Sequence, residues 1–348
     1  MKQNKPKFRV AFLGRGSLGY RVLEGLIGNE AVEVCVIICC NPSSDVPLDK
    51  SLFRNLALEK NIDYFEANSI NNESKKSLLQ NYNIDIAVAM LWLNTISTEL
   101  IKTAKHGFLN LHGGALPRYR GNACQTWAIL NEENTIGVTC HLMKGNSLDS
   151  GPILKQDFIS INHDDLVGDL MKKVENKGVD LVLESVQDFI DQEIETLSQD
   201  ENEALYCYPR LPRDGEIDWN QSSKKIIKLI RAANHPYPGA YSYFRDHLND
   251  KKIIKLVIRR ACVFEDNISS FCAVPGHVIK VKSKNKICVV CGDDKMICLQ
   301  DIELDEEPVS PEKAFKSVRQ RLGLNLSDEI IKLRSEISDL RRSLNKLT

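Results

Sequence analysis

Apolar residues in the first half of the chain come in short continuous runs, separated by polar stretches that suit helices. The run at 8–13 ends in Gly14 and reads as a strand buried on both faces. Residues 17–27 then place apolar side chains at helical spacing. β-Branched runs follow at 32–40 and 84–93, with a short one at 107–111. Between them, 50–60 and 72–81 are helix-compatible. Strands alternating with helices imply right-handed crossovers and a mostly parallel sheet. Ligands of such sheets sit beyond the carboxyl ends of the strands. That rule gathers 14–19, 91–93 and 110–112 on one rim.

A long amphipathic helix at 164–190 closes this part, and the polar, acidic stretch 192–202 reads as a connector. The pattern then changes. A helix at 222–233 precedes short β-like runs at 253–258, 276–282, 287–291 and 296–302, the spacing of a small barrel or sandwich. In the tail, Ile330, Leu333, Ile337, Leu340, Leu344 and Leu347 repeat at steps of three and four. This is an a/d seam, and Ser327, Asp328 and Glu329 make a helix start. Such a helix either pairs in a homodimer or docks on its own domain. The expected partition is 1–203, 204–325 and 326–348.

The length, 348 residues, suits two domains, and 43% hydrophobic content supplies their cores. Forty-six basic residues face 47 acidic ones, so the net charge is −1 and a nucleic acid partner is not expected. No stretch of about 18 apolar residues suggests a membrane span. Residues 1–7 lack the apolar run of a secretory leader. The eleven cysteines read as reduced thiols of a cytoplasmic protein. Cys288 and Cys291 have no second pair at metal-ligand spacing, so no metal is expected.

Gly14-Arg15-Gly16-Ser17-Leu18-Gly19 has the form of a dinucleotide-binding turn. The ribose-binding acid should end the second strand, but Cys39-Cys40-Asn41 stands there. The turn is therefore structural, or a helix N-terminus that holds a phosphate with help from Arg15, Gly16 and Ser17.

Chemistry concentrates in 107–154. Asn110 and His112 alternate on a strand and share a face. Gly113 and Gly114 follow, then the polar loop Pro117-Arg118-Tyr119-Arg120-Gly121 and a carboxylate in Leu148-Asp149-Ser150-Gly151. An amide can donate to an oxyanion, and an imidazole can take a proton from an amine. A carboxylate can orient that imidazole or hold substrate protons. Taken alone, the trio serves equally well to satisfy backbone at a strand end.

These motifs, with Gly137-Val138-Thr139 between them, resemble the signature of the folate-dependent formyltransferases. That family includes methionyl-tRNA formyltransferase, glycinamide ribonucleotide transformylase and the nucleotide-sugar N-formyltransferases. The resemblance implies an N-terminal Rossmann-like formyltransferase fold, with Asn110, His112 and Asp149 as the catalytic set. It implies 10-formyltetrahydrofolate as donor, its pterin lying against Met90, Leu91, Trp92 and Leu93 and against the loop from Leu142 to Asp149. Gly114 departs from the family, where many members carry serine. Residues 212–244 resemble the start of the second domain of the tRNA and sugar enzymes, and 274–304 its OB-like barrel.

Charge separates the acceptors. In the tRNA enzymes an insertion after the second strand is rich in Lys and Arg. Here, in 41–55, Lys50 and Arg54 are balanced by Asp45 and Asp49, and 253–309 holds 8 basic against 9 acidic residues. The segment 123–127 also looks more like that of sugar-pathway members. The expectation is a formyltransferase acting on the amine of a dTDP-, UDP- or GDP-linked amino sugar, as in cell-surface polysaccharide synthesis. Arg15, Ser17, Arg210 and Arg213 are its candidate phosphate ligands. Methionyl-tRNA formylation, formyltetrahydrofolate hydrolysis and ligand binding without activity are the alternatives.

Overall fold

A computed structural model describes residues 6–42, 48–245, 252–265, 272–281, 286–315, 320–324 and 326–345. Asp45 and Leu347 lie outside them. The chain divides into two compact units, Met1–Arg210 and Leu211–Thr348.

The first unit runs β1 (Phe8–Gly14), α1 (Gly16–Gly28), β2 (Val32–Cys39), α2 (Ser51–Lys60), β3 (Asp63–Glu66), α3 (Glu73–Asn81), β4 (Ile86–Met90) and α4 (Thr98–Ile101). It continues through β5 (Phe108–His112), β6 (Arg120–Gly121), α5 (Cys124–Leu130), β7 (Thr135–Leu142), β8 (Ile153–Ser160), α6 (Val167–Asp191) and β9 (Tyr206–Cys207). Seven strands form one sheet in the order β3-β2-β1-β4-β5-β7-β8. Its first five strands are parallel, and β7 and β8 are added antiparallel. The expected parallel core is present, and its strands are the continuous apolar runs. β4 stops at Met90, short of the run's apolar end at 93, because Leu91 turns left-handed at φ 53°. α3 starts where Asn72 accepts from the Lys75 N–H, an N-cap for one of the orphan amides.

One sheet face packs Val10, Phe12, Leu109 and Leu111 beneath α1 and α6. The other buries Ala11, Leu13, Ile38 and Phe108 with Leu79 of α3 and Leu100 of α4. The partition falls at Arg210, beyond the boundary at 203 read from the sequence, because β9 pairs with β6 and keeps the connector on the first unit.

The second unit opens with a 3-10 turn at Pro212–Gly215 and α7 (Ser223–Ala232). Then come β10 (Ala240–Arg245), β11 (Ile253–Phe264), β12 (Val278–Val281), β13 (Lys286–Val290), β14 (Met296–Leu304), β15 (Glu307–Val309), α8 (Pro311–Ala314) and α9 (Leu326–Leu344). The strands form a curled antiparallel half-barrel, β10-β11-β14-β13-β12 with β15 on β14. α7 lays Ile226 and Ile230 on its core. Cys288 and Cys291 are buried in the unit's apolar clusters. Among the described residues no helix is long and apolar enough to cross a membrane.

Candidate active site

β5 lies between the parallel β4 and the antiparallel β7, at the seam where the sheet changes direction. Alternation sends Leu109 and Leu111 into the core and turns Asn110 and His112 to the other face. The β5–β7 register sets Asn110 opposite His141 and His112 opposite Thr139. Asn110 Nδ2 is 3.1 Å from His141 Nε2. His141 Nδ1 is 2.9 Å from the carbonyl of Leu142, an acceptor, so Nδ1 carries the proton and Nε2 accepts from the amide. One Asn110 N–H is thereby fixed, and the second has no partner among the described residues.

His112 is held in the same way. Its Nε2 is 2.5 Å from the carbonyl of Tyr119, which places the ring proton there and leaves Nδ1 as the basic atom. Nδ1 faces Asp149 Oδ2 at 3.4 Å, and Asp149 Oδ1 is 3.6 Å from His141 Nε2. Asp149 also accepts the backbone N–H of Gly121 at 2.9 Å. Burial works to raise the Asp149 carboxyl, but the positive charge that His112 and His141 carry when protonated, together with the Gly121 amide, outweighs it and brings the pKa down to about 2. The group is an anion throughout the neutral range, set against the atom that would receive a proton.

The loops around this anion are tightly specified. Gly121 has φ 99°, and a Cβ there would meet the Cys207 carbonyl at 2.4 Å. A Cβ on Gly114 would lie 2.5 Å from the Tyr119 carbonyl and 2.7 Å from His112 Nε2. The family's serine at that position has no room here. Gln199 donates to the carbonyls of Asp149 at 2.8 Å and Gly151 at 2.7 Å. Its own oxygen accepts from Nε and Nη2 of Arg120, which is fully buried and also bound to Glu201 and Tyr206. The stretch read as a connector is thus a clamp on the Asp149 loop.

His141, Gln199 and Arg120 were not legible as site residues. His141 sits in a strand sequence without a motif, and only strand register brings it to Asn110. A long-range pairing signal was the one cue available for it, while Arg120 stood in a loop already marked as polar.

The structure brings Asn110, His112 and Asp149 together. The candidate phosphate ligands are placed as follows. Arg15 is 9% exposed, and its Nε and Nη1 reach the carbonyls of Leu91 and Asn41 at 3.1 and 3.2 Å. Ser17 donates to Glu175 at 3.0 Å, and that carboxylate repels a phosphate. Gly16 is buried at φ 72° as part of the turn. In this structure the polar groups of the turn are engaged by protein partners. Arg210 stacks over Trp127 at 5.4 Å, while Arg213 is exposed in the second unit's 3-10 turn.

On the expected donor side, Met90 is buried, Leu91 and Leu142 are partly buried, and Leu93 is 48% exposed. Trp92 Nε1 is buried with no hydrogen-bond partner among the described residues. No group of three or more His, Cys, Asp or Glu able to hold a metal occurs among those residues.

Residues 8–186 match the family Formyl transferase, and 211–319 match Formyl transferase, C-terminal domain. The chain belongs to the formyltransferase family. The formyltransferase is 29% identical over 316 residues to the methionyl-tRNA formyltransferase of Thermodesulfovibrio yellowstonii, covering 89% of this chain and 96% of that one. It is 33% identical over 246 residues to the bifunctional polymyxin resistance protein ArnA of Wigglesworthia glossinidia brevipalpis. That match covers 71% of this chain and 37% of the longer protein. Among solved structures, the sugar 3N-formyl transferase WlaRD, with dTDP and 5-N-formyl-THF, aligns at TM-score 0.60 and 20% identity over 84% of this chain and 97% of that one. The N-formyltransferase of Helicobacter canadensis, with folinic acid and dTDP-3-aminofucose, aligns at 0.59 and 19% over 84% and 99%. At these identities the structures share the fold.

Proposed function

We propose that this formyltransferase moves a formyl group from 10-formyltetrahydrofolate to the amine of a nucleotide-linked amino sugar. The observation that carries the transfer is the buried His112–Asp149 pair beside an Asn110 amide with one donor uncommitted. The unpaired Trp92 indole N–H suits a ligand rich in ring acceptors, as a pterin is. The donor supplies an activated formyl group. His112 Nδ1 takes the proton that the attacking amine must lose, Asp149 stabilises the resulting imidazolium, and the proton can return to the donor's nitrogen as its bond to the formyl carbon breaks and tetrahydrofolate leaves. Asn110 donates its second N–H to the formyl oxygen as charge grows there. Gly121, Gln199 and Arg120 hold Asp149 in place.

Charge supports the acceptor. Lys50 and Arg54, the cations of the segment after β2, both pair with Glu66 and offer little to a polyphosphate. The solved relatives that bind dTDP or dTDP-3-aminofucose point the same way. A second reading, methionyl-tRNA formylation, is favoured by curated relatives at 29% identity along nearly their whole length. We read the protein as a homodimer in the cytoplasm, the first supported by the bare apolar seam of α9. The test is formylation of dTDP-, UDP- and GDP-linked amino sugars and of charged initiator tRNA under one set of conditions. Turnover on a sugar alone upholds the proposal. Turnover on tRNA alone, or formate release without an acceptor, overturns it.

A further inference from the structure

α9 carries an apolar seam that is exposed among the described residues. Ile330, Leu333, Ile337, Leu340 and Leu344 lie on one face and are between 49% and 64% exposed. Among the described residues this face is not docked on its own domain. The helix is tied to the sheet at its first turn, where Arg245 donates to Glu329 at 2.9 Å. In heptad terms Ile330, Ile337 and Leu344 are a positions, and Leu333 and Leu340 are d positions. A β-branched residue at a with leucine at d favours two parallel strands.

The flanks agree. Glu329 and Glu336 occupy g, and Arg334 and Arg341 occupy e. In a parallel pair, g of one helix meets e of the next heptad on the other, which brings Glu336 to the second copy's Arg341 and the reverse. Glu329 is already engaged by Arg245. An antiparallel pair would oppose glutamate to glutamate and arginine to arginine. We propose that α9 pairs with α9 of a second copy as a parallel, in-register, two-stranded coiled coil. This rests on reading the protein as a homodimer. With 19 residues the helix spans under three heptads, so the association depends on concentration.

The test uses the full chain and measures mass by sedimentation across a concentration series, with circular dichroism as a fold control. Glu336→Lys and Arg341→Glu should each raise the dimer dissociation constant by roughly tenfold, since both symmetric pairs turn repulsive. The double variant should return to within about threefold of the parent, and the two single variants mixed should form a heterodimer. Loss of α9 should leave a monomer. Single reversals without effect, or a double variant that stays monomeric, overturn the parallel pairing. A dimer that survives without α9 overturns this interface and keeps the homodimer, whereas a full chain monomeric at every concentration removes both. Formyl transfer should persist in all these variants.

Discussion

At the residue scale, the carbonyls of Tyr119 and Leu142 set the tautomers of His112 and His141. The Tyr119 carbonyl fixes the His112 proton on Nε2, so the ring works as a base only at Nδ1, beside Asp149. Replacing His112 by Asn removes that atom's basicity at similar volume, and single-turnover transfer should fall at least about 10²-fold with folate affinity retained. Asp149→Asn should be comparably slow. It also has a stability signature. The folded carboxyl sits at about 2 against 3.8 in the unfolded chain, so its contribution, about 2 kcal/mol, is full above pH 4 and disappears as pH falls towards 2. Denaturant midpoints of parent and variant should differ at pH 7 and converge over that acid window. A gap independent of pH would deny the charge its role. Gly114→Ala presses a methyl against both Tyr119 O and His112 Nε2, so transfer should drop by about tenfold or more while the fold survives. Unchanged kinetics there would show that the loop yields freely.

At the scale of elements, the alternating pattern revealed those parts whose burial is two-sided. β1, β2 and β4 are covered on both faces and read as unbroken apolar runs, whereas β3 at the sheet edge is mostly half-exposed and carries no such run. β8 is similarly mixed. Asn110, His112 and Asp149 were legible because their motifs are local. His141 was not, since the contact that recruits it crosses 31 residues and depends on the β5–β7 register. Residues 192–202 have a linker's composition, yet Gln199 within them spans from the buried Arg120 to two carbonyls of the catalytic turn. Gln199→Leu should cost about 1–3 kcal/mol in denaturant unfolding, because donors and acceptors on both sides lose partners. It should also lower kcat more than it raises KM. An effect confined to stability would make Gln199 structural only. Arg15 binds elements in the same sense, joining the turn after β1 to the end of β4 through Leu91. Arg15→Ala should therefore weaken folate binding more than acceptor binding in equilibrium titrations. The opposite order would restore a phosphate role to the turn.

For the whole molecule, the acceptor is a question of how charge is distributed. The net charge is −1, and several cations that could meet a polyanion are matched by acids within their own units. In the first unit Lys50 and Arg54 share Glu66, and Lys155 and Lys177 pair with Asp188 and Asp157. In the second, Arg259 pairs with Glu303, Arg260 with Asp301 and Lys252 with Asp305. A tRNA contacted through 6–10 phosphates would lose roughly 10³–10⁵ in affinity between 50 and 200 mM salt. A nucleotide sugar offers a diphosphate and should lose about tenfold or less over that range. The measurement is KM for the acceptor as a function of salt, with single-turnover rates to separate binding from chemistry. The matched charges favour the shallow slope. A steep slope with tRNA as the working acceptor would mean that the paired lysines and arginines exchange their carboxylates for phosphates on binding, a rearrangement that Glu66→Gln would ease by freeing Lys50 and Arg54. That variant should leave acceptor KM unchanged for a sugar and lower it for a tRNA, so it distinguishes the two readings even if the slopes are intermediate.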